Sequence, residues 1–316
     1  MTRVAAIDCG TNSIRLLVAD VPADGGHTDV LRRMEVVRLG QGVDATGRLA
    51  PEAIERTRVV LAEYAAAVRD LGATAVRMVA TSATRDAENR EDFESMVRAT
   101  LGTGPDVVTG GEEAELSFLG ATASLDRAAA AHDCPPPRSP FLVVDIGGRS
   151  TEFVLGGASG VKAARSVDIG CVRLTERHLH DDPPTATQVH RTVRDIETAL
   201  EEVAAEVPVR EAVTMVGLAG SVTTVAALAL RLPEYDADRI HGSRIGVDAV
   251  REVTADLLAA TRARRAAMPV MHPGRVVVIG AGALVLRVAM DELGFDEVVV
   301  SEHDILDGIA LEVARG

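Results

Sequence analysis

Tryptophan is absent, aromatic residues of all kinds make up only 2% of the 316 residues, and lysine occurs once, at Lys162. So few rings remove base stacking as a main mode of recognition. A formal net charge of −14 excludes a general nucleic-acid or anionic-membrane binder, although it leaves room for a local anion site. With one lysine, nearly all positive charge is guanidinium, which suits bidentate contacts to phosphate or carboxylate. A GC-rich genome that writes arginine for lysine explains the same count. Cysteine is also sparse: Cys9, Cys134 and Cys171 stand far apart with no CxxC, which fits a reducing cytoplasm and excludes a zinc knuckle. No GxxxxGK[ST] motif exists, so a P-loop mechanism is out. The first residues, MTRVAAIDCG, lack the apolar core of a signal peptide. One uncharged run, AVTMVGLAGSVTTVAALAL (212–230), approaches the length of a bilayer span, but its central GLAGSVTT reads as strand, glycine turn and helix within a buried core.

What remains is globular: 47% hydrophobic and 25% charged residues, at a length that favours two domains of ordinary size. Residues 3–39 read as β-structure with a turn over 22–26. Pro51 suits the first position of a helix through EAIERTRVVLAEYAAAVRDLG. AVRMVATSATRD is strand then loop, REDFESMVRATLG is helix, and PDVVTGG is a short strand before the helix EEAELSFLGATASL. The alanine run and triple proline of AAAAHDCPPPRSP mark a crossing, and we expect domains over 1–128 and 129–316. Beyond it come FLVVDIGGRSTEFVLGG, GVKAARSVDIG, a helix near 185–206, strand–turn–helix at 213–230, helices at 247–267 and 282–293, the strand EVVVSEHD and a closing helix. IDCGTNSIRLLV (7–18) and VDIGGRSTEFVL (144–155) share Asp-x-Gly, a small or polar pair, Ser and an apolar strand. Two copies of one unit predict two similar domains facing each other across a cleft.

Glycine turns of this kind let backbone N–H groups converge on an anion, with hydroxyls adding donors. An ordinary hairpin turn accounts for one copy; two copies and a third turn, GLAGSVTT (217–224), favour phosphate. In that third turn Gly220, Ser221 and Thr224 stand where a helix N-terminus binds anions. TGGEEAELSF puts Glu112 and Glu113 at a loop-to-helix junction, where they complement the helix dipole or activate a water. Arg85, after a strand and among hydroxyls, could neutralise a phosphoryl oxygen. Two patterns mislead. VVVIGAGALVL (276–286) imitates a dinucleotide-binding turn with Glu302 downstream, yet Val285 occupies the third glycine position. RHLHDDPP offers His178, His180, Asp181 and Asp182 as metal ligands, while a pre-helical acidic loop explains the same residues.

In that order, IDCGTNSIRLLV, VATSATRDAEN, GGEEAELSFLGA, VVDIGGRSTEFVLG, GLAGSVTT and VSEHDILDGI resemble the exopolyphosphatase and guanosine pentaphosphate phosphohydrolase family, from Val4 to about Ile309. The resemblance implies an α/β fold, the duplicated actin-like (ribonuclease-H-like, ASKHA) two-domain fold with an interdomain cleft, and a last helix (304–316) that packs back on the N-terminal domain. It implies cytoplasmic release of orthophosphate from linear polyphosphate, or hydrolysis of guanosine pentaphosphate (pppGpp), by a homodimer that binds neither nucleic acid nor membrane. Mg²⁺ is the implied cofactor, with Mn²⁺ or a monovalent cation such as K⁺ as further candidates. Carried over residue by residue, the general base is Glu113 with Glu112 beside it, the phosphate-binding arginine is Arg85, and the metal carboxylates are Asp145 and Glu152. The phosphate turns are Gly10, Thr11, Asn12 and Ser13 with Arg15; Gly147, Gly148, Arg149, Ser150 and Thr151; and Gly220 with Ser221. This chain departs from the family in two places: Arg149 replaces the third loop glycine, and Leu306-Asp307-Gly308 replaces Arg-Glu-Gly. A non-catalytic polyphosphate or nucleotide sensor and a sugar or acetate kinase of the same fold are the readings from other classes.

Overall fold

The computed structural model describes residues 1–22 and 26–315. The turn expected over 22–26 therefore lies largely outside the described residues. In chain order the elements begin with β1 (Thr2–Cys9), β2 (Ser13–Val21), β3 (Thr28–Val36), α1 (Val43–Thr46), α2 (Pro51–Asp70), β4 (Ala75–Ala80), α3 (Ser82–Arg85), α4 (Arg90–Leu101), β5 (Asp106–Val107) and α5 (Gly110–Thr122). Next come α6 (Leu125–Ala131), β6 (Phe141–Ile146), β7 (Thr151–Gly157), β8 (Gly160–Val167), α7 (Cys171–His178), α8 (Ala186–Glu206), β9 (Thr214–Leu218), α9 (Ala219–Ala229) and α10 (Ala237–Ile240). The last are β10 (Arg244–Gly246), α11 (Val247–Ala259), α12 (Arg262–Ala266), α13 (Ile279–Leu293), β11 (Glu297–Val300) and α14 (Ile305–Arg315).

Two compact units result, one of residues 1–123 with 304–316, the other of residues 124–303. Each is built on a sheet, and the five-strand order of the first recurs in the second, which adds β10 at one edge. In the first the strand order is β3-β2-β1-β4-β5, and in the second it is β10-β11-β9-β6-β7-β8. β1 pairs antiparallel with β2 and parallel with β4; β6 pairs antiparallel with β7 and parallel with β9. The repeat read in the sequence is thus a structural duplication, and the fold is actin-like. β1 and β6 are central strands covered on both faces, which is why they read as continuous apolar runs.

The first unit holds two apolar layers. Ile7, Ile14, Leu16, Leu61, Tyr64, Phe93 and their neighbours fill one. The other packs Val4, Ala6, Leu17 and Val79 against Ile305, Leu306, Ile309, Ala310 and Leu311 of α14. α14 crosses α5 so closely that a Cβ on Gly308 would overlap the Leu116 carbonyl, and one on Gly120 would overlap that of Asp304. Only glycines permit this approach. At the same end Asp307, fully buried, accepts hydrogen bonds from Arg32 and the Asp304 N–H, and His27 Nε2 lies 2.9 Å from it.

Several elements differ from the sequence reading. The 212–230 run divides into β9 and α9, and among the described residues no helix is long and apolar enough to cross a membrane. VVVIGAG has no strand at all: turns precede α13, so the dinucleotide resemblance ends at the letters. Ser82–Arg85 is a helical turn rather than loop, the helix expected over 247–267 is broken between α11 and α12, and α7 was not anticipated. His178 faces Asp195 at 2.8 Å, while Asp182 accepts from the Arg262 N–H and Arg265, so these two residues of RHLHDDPP are held in structural contacts.

Candidate active site

The second unit carries the DIGGRSTE turn between β6 and β7, and its backbone is held from one side. The carbonyl of Gly147 accepts from the Cys171 N–H at 3.0 Å, that of Gly148 from Val172 and Arg173 at 2.8 and 3.1 Å, and that of Arg149 from Gly170 at 3.0 Å. In a trans peptide the N–H points opposite to the C=O of the same unit. The N–H groups of Gly148, Arg149 and Ser150 are therefore turned away from α7, three consecutive donors on one side of the turn. Such an array is an anion nest.

The first unit repeats the device with different partners. Thr11 O accepts from the Gly40 N–H at 2.9 Å, and Asn12 O accepts from Val37 and Arg38 at 3.0 and 2.8 Å. By the same stereochemistry the Asn12 and Ser13 N–H groups face the opposite way. The Gly10 N–H closes the hairpin on Ser13 O at 3.0 Å.

Strand register explains why the two copies carry different chemistry. Asp8 stands directly opposite Arg15, and at the equivalent place Asp145 stands opposite Glu152. In the first unit this makes an ion pair: Arg15 donates to Asp8 at 2.9 and 2.7 Å and also to Asp304. Arg15 is thereby engaged within its own unit, and its expected part in holding phosphate gives way to a structural one. In the second unit two carboxylates share the position. Like charges directly opposite on neighbouring strands repel, and a cation relieves that repulsion. Glu152 Oε1 accepts from Ser166 Oγ at 2.8 Å, which fixes its carboxylate. Burial pushes the Glu152 carboxyl above its usual range, against hydrogen bonds from Ser150 and Ser166 that hold it down. Two facing carboxylates, one of them fixed in orientation, suit a hard divalent ion such as Mg²⁺.

Arg85 and Glu113 are brought together in the first unit. Arg85 Nη1 donates to Val108 O at 2.9 Å and lies 3.5 Å from Glu113 Oε2, with both side chains about one-third exposed. That leaves Glu113 reachable by water and charge-matched. Glu112 does something else. Its carboxylate accepts from the Thr109 N–H and Oγ1, both at 2.8 Å, and closes a capping box on α5. Those bonds, the backbone one first, hold its carboxyl below the usual range. Glu112 starts the helix that presents Glu113; the expected catalytic role does not fit an occupied cap.

Two further expectations are revised by burial. Thr151 is fully buried and donates to Ile169 O at 3.2 Å, so it anchors β7 rather than lining the turn. Ser221 is 6% exposed and packs against Gly282 of α13. Gly220, one residue earlier, lies beneath the Arg275 guanidinium, which donates to Thr224 Oγ1 at 2.9 Å. Arg275 thus adds a cation at the start of α9; nothing in HPGR marks it, because 54 residues separate it from Ser221. Gly170 was missed too. A Cβ there would lie 2.4 Å from backbone atoms of Gly148 and Arg149.

The Ppx/GppA phosphatase family model matches residues 17–315. Exopolyphosphatase 2 of Mycobacterium tuberculosis is 53% identical over 326 residues, covering 99% of both chains. Among solved structures, an exopolyphosphatase-like protein is 43% identical with a TM-score of 0.83, covering 99% of each chain. The Ppx/GppA family member of Aquifex aeolicus is 31% identical with a TM-score of 0.86, covering 99% of this chain and 98% of that one. With duplicated nests on an actin-like frame and similarity along the whole length, this chain belongs to the Ppx/GppA phosphatase family.

Proposed function

We propose that the chain hydrolyses phosphoanhydride bonds, releasing orthophosphate from the end of linear inorganic polyphosphate. The observation that carries the chemistry is the pair of glycine turns whose carbonyls are tied back on one side, which turns consecutive N–H groups to the other. Polyphosphate as the substrate follows from the full-length likeness to exopolyphosphatase 2. Guanosine pentaphosphate is the competing substrate within the family.

The chain's own residues divide the work. The N–H groups of 12–13 and 148–150 bind and orient phosphoryl oxygens, replacing their hydration. Arg85 offsets negative charge on a terminal phosphoryl group and stands 3.5 Å from the Glu113 carboxylate. Glu113 accepts a proton from the attacking water. Asp145 and Glu152 would hold Mg²⁺, which when bound supplies charge neutralisation at the phosphates. Phosphoryl transfer asks little covalent work of a protein, so positioning and electrostatics should supply most of the rate.

The test is phosphate release from long polyphosphate, short polyphosphate, guanosine pentaphosphate and ATP, with and without Mg²⁺, by wild type and Glu113→Gln. We expect polyphosphate to be preferred and Glu113→Gln to lower kcat roughly 10²–10⁴-fold with polyphosphate binding retained. An unaltered kcat removes Glu113 as the base. Preference for guanosine pentaphosphate reassigns the substrate, and binding without release from any of the four identifies a sensor.

A further inference from the structure

β3 ends the sheet of the first unit and is open on its outer side. Its nine residues, TDVLRRMEV, are mostly exposed, with Met34 54% and Val36 53% accessible. Edge strands of this length are commonly blunted by lysine, proline or cover. The other three edges are: β5 and β10 have two and three residues, and β8 carries Lys162, the chain's single lysine. β3 carries neither lysine nor proline.

Hydrogen-bond phase decides which backbone groups face outward. The Val37 N–H donates to Asn12 O, in the same register that pairs Glu35 with Ile14 and Arg33 with Leu16. Odd-numbered residues 31–37 therefore turn N–H and C=O toward β2, and Arg32, Met34 and Val36 turn theirs away. Among the described residues, no backbone partner meets these three outward sets. Two charged side chains on the strand also lack an ion pair among the described residues. Arg33 and Glu35 point to the same face, and neither forms a salt bridge among the described residues, whereas Arg32 on the other face is held by Asp29 and Asp307.

We propose that β3 pairs antiparallel with β3 of a second copy of this chain, about a two-fold axis at Met34. Only certain registers keep the outward groups in phase. Centring on Arg32, Arg33 or Glu35 places like charges on the axis. Centring on Val36 leaves Arg33 and Glu35 without partners. Centring on Met34 puts Arg33 opposite Glu35 of the second copy, twice by symmetry, at non-hydrogen-bonded positions where side chains approach most closely. The same register pairs Met34 with Met34 and Arg32 with Val36 through backbone hydrogen bonds, and it covers both exposed apolar side chains. Self-complementarity of this kind is what a two-fold interface requires.

The experiment measures mass by light scattering and sedimentation across the micromolar range, at low and moderate salt. Wild type is expected to be a dimer. Met34→Pro removes an outward N–H and leaves the β2–β3 ladder intact, so it should be monomeric and folded by circular dichroism. Glu35→Arg sets two arginine pairs face to face and should weaken the dimer about tenfold or more. Arg33→Glu with Glu35→Arg in one chain restores opposite charges and should restore the dimer; this exchange decides the matter if the proline variant fails to fold. A monomeric wild type, a dimer indifferent to Met34→Pro and Glu35→Arg, or a double exchange that stays dissociated would each overturn the proposal.

Discussion

Replacing Gly170 by alanine tests whether the DIGGRSTE turn is the phosphate seat. Gly170 has ordinary extended dihedrals, φ −71° and ψ 157°, so alanine brings no backbone strain. The cost is spatial. The new Cβ would lie 2.4 Å from Arg149 N, Arg149 C and Gly148 C, where ordinary contact begins at 3.4 Å. Those are backbone atoms, not the end of a side chain, and the turn must retreat by about 1 Å. Overpacking of this size costs roughly 1–3 kcal/mol, which a domain of this size survives. Catalysis is less tolerant: the N–H groups of 148–150 ride on the displaced peptides, and a misplacement of about 1 Å costs on the order of 10²-fold. We therefore expect kcat/KM for polyphosphate to fall about a hundredfold while the melting temperature drops by only a few degrees. Phosphate release and thermal unfolding on the same preparation provide the measurement. Full activity in a folded variant would show that the turn does not position substrate, and would refute the reasoning from tied-back carbonyls.

Arg149→Gly restores the bare turn of the family: higher turnover marks Arg149 as a brake, and weaker polyphosphate binding with unchanged kcat marks it as a ligand. Gly308→Ala should destabilise the first unit by about 1–3 kcal/mol or more, because its Cβ meets a carbonyl that α5 cannot easily move; differential scanning calorimetry that finds no loss would argue against the tight crossing. His27 supplies a pH test. Burial opposes its charge, but hydrogen bonds to Asp29 and Asp307 outweigh this and push its pKa above the ordinary histidine value, up to about 9. The stabilisation is complete below the unfolded value and disappears as pH rises toward 9. Wild type should lose melting temperature over that window, and His27→Gln should lose much less; parallel curves would remove His27 as the source.

Most of the fold was legible because both central strands are apolar runs and each is followed by a glycine turn and a second apolar strand. Periodicity missed α7, a helix of only eight residues whose first N–H groups also bind the turn. It also read a strand into VVVIGAG, where β-branched letters sit in turns ahead of a buried helix. At the candidate site, Arg85 and Glu113 could be named from their motifs, and the structure sets them side by side. What spacing could not show was occupancy. Glu112 and Arg15 look available in the sequence, and only register and capping reveal that Thr109, Asp8 and Asp304 already hold them. Gly170 and Arg275 were invisible for a related reason: their importance lies in what rests against them, and those neighbours are distant in the chain.

The place of α14 imposes an order on synthesis. Residues 305–311 close an apolar layer whose other members, Val4, Ala6 and Leu17 among them, are translated first. All 180 residues of the second unit are made in between. The second unit can complete its core while the first waits, its strands formed but one face open to water, until the last helix emerges. A nascent chain arrested at residue 303 should accordingly resist protease over 124–303 and be cut within the first hundred residues. The order of folding would run opposite to the order of the sequence, and the early strands, not the late ones, would need protection from aggregation.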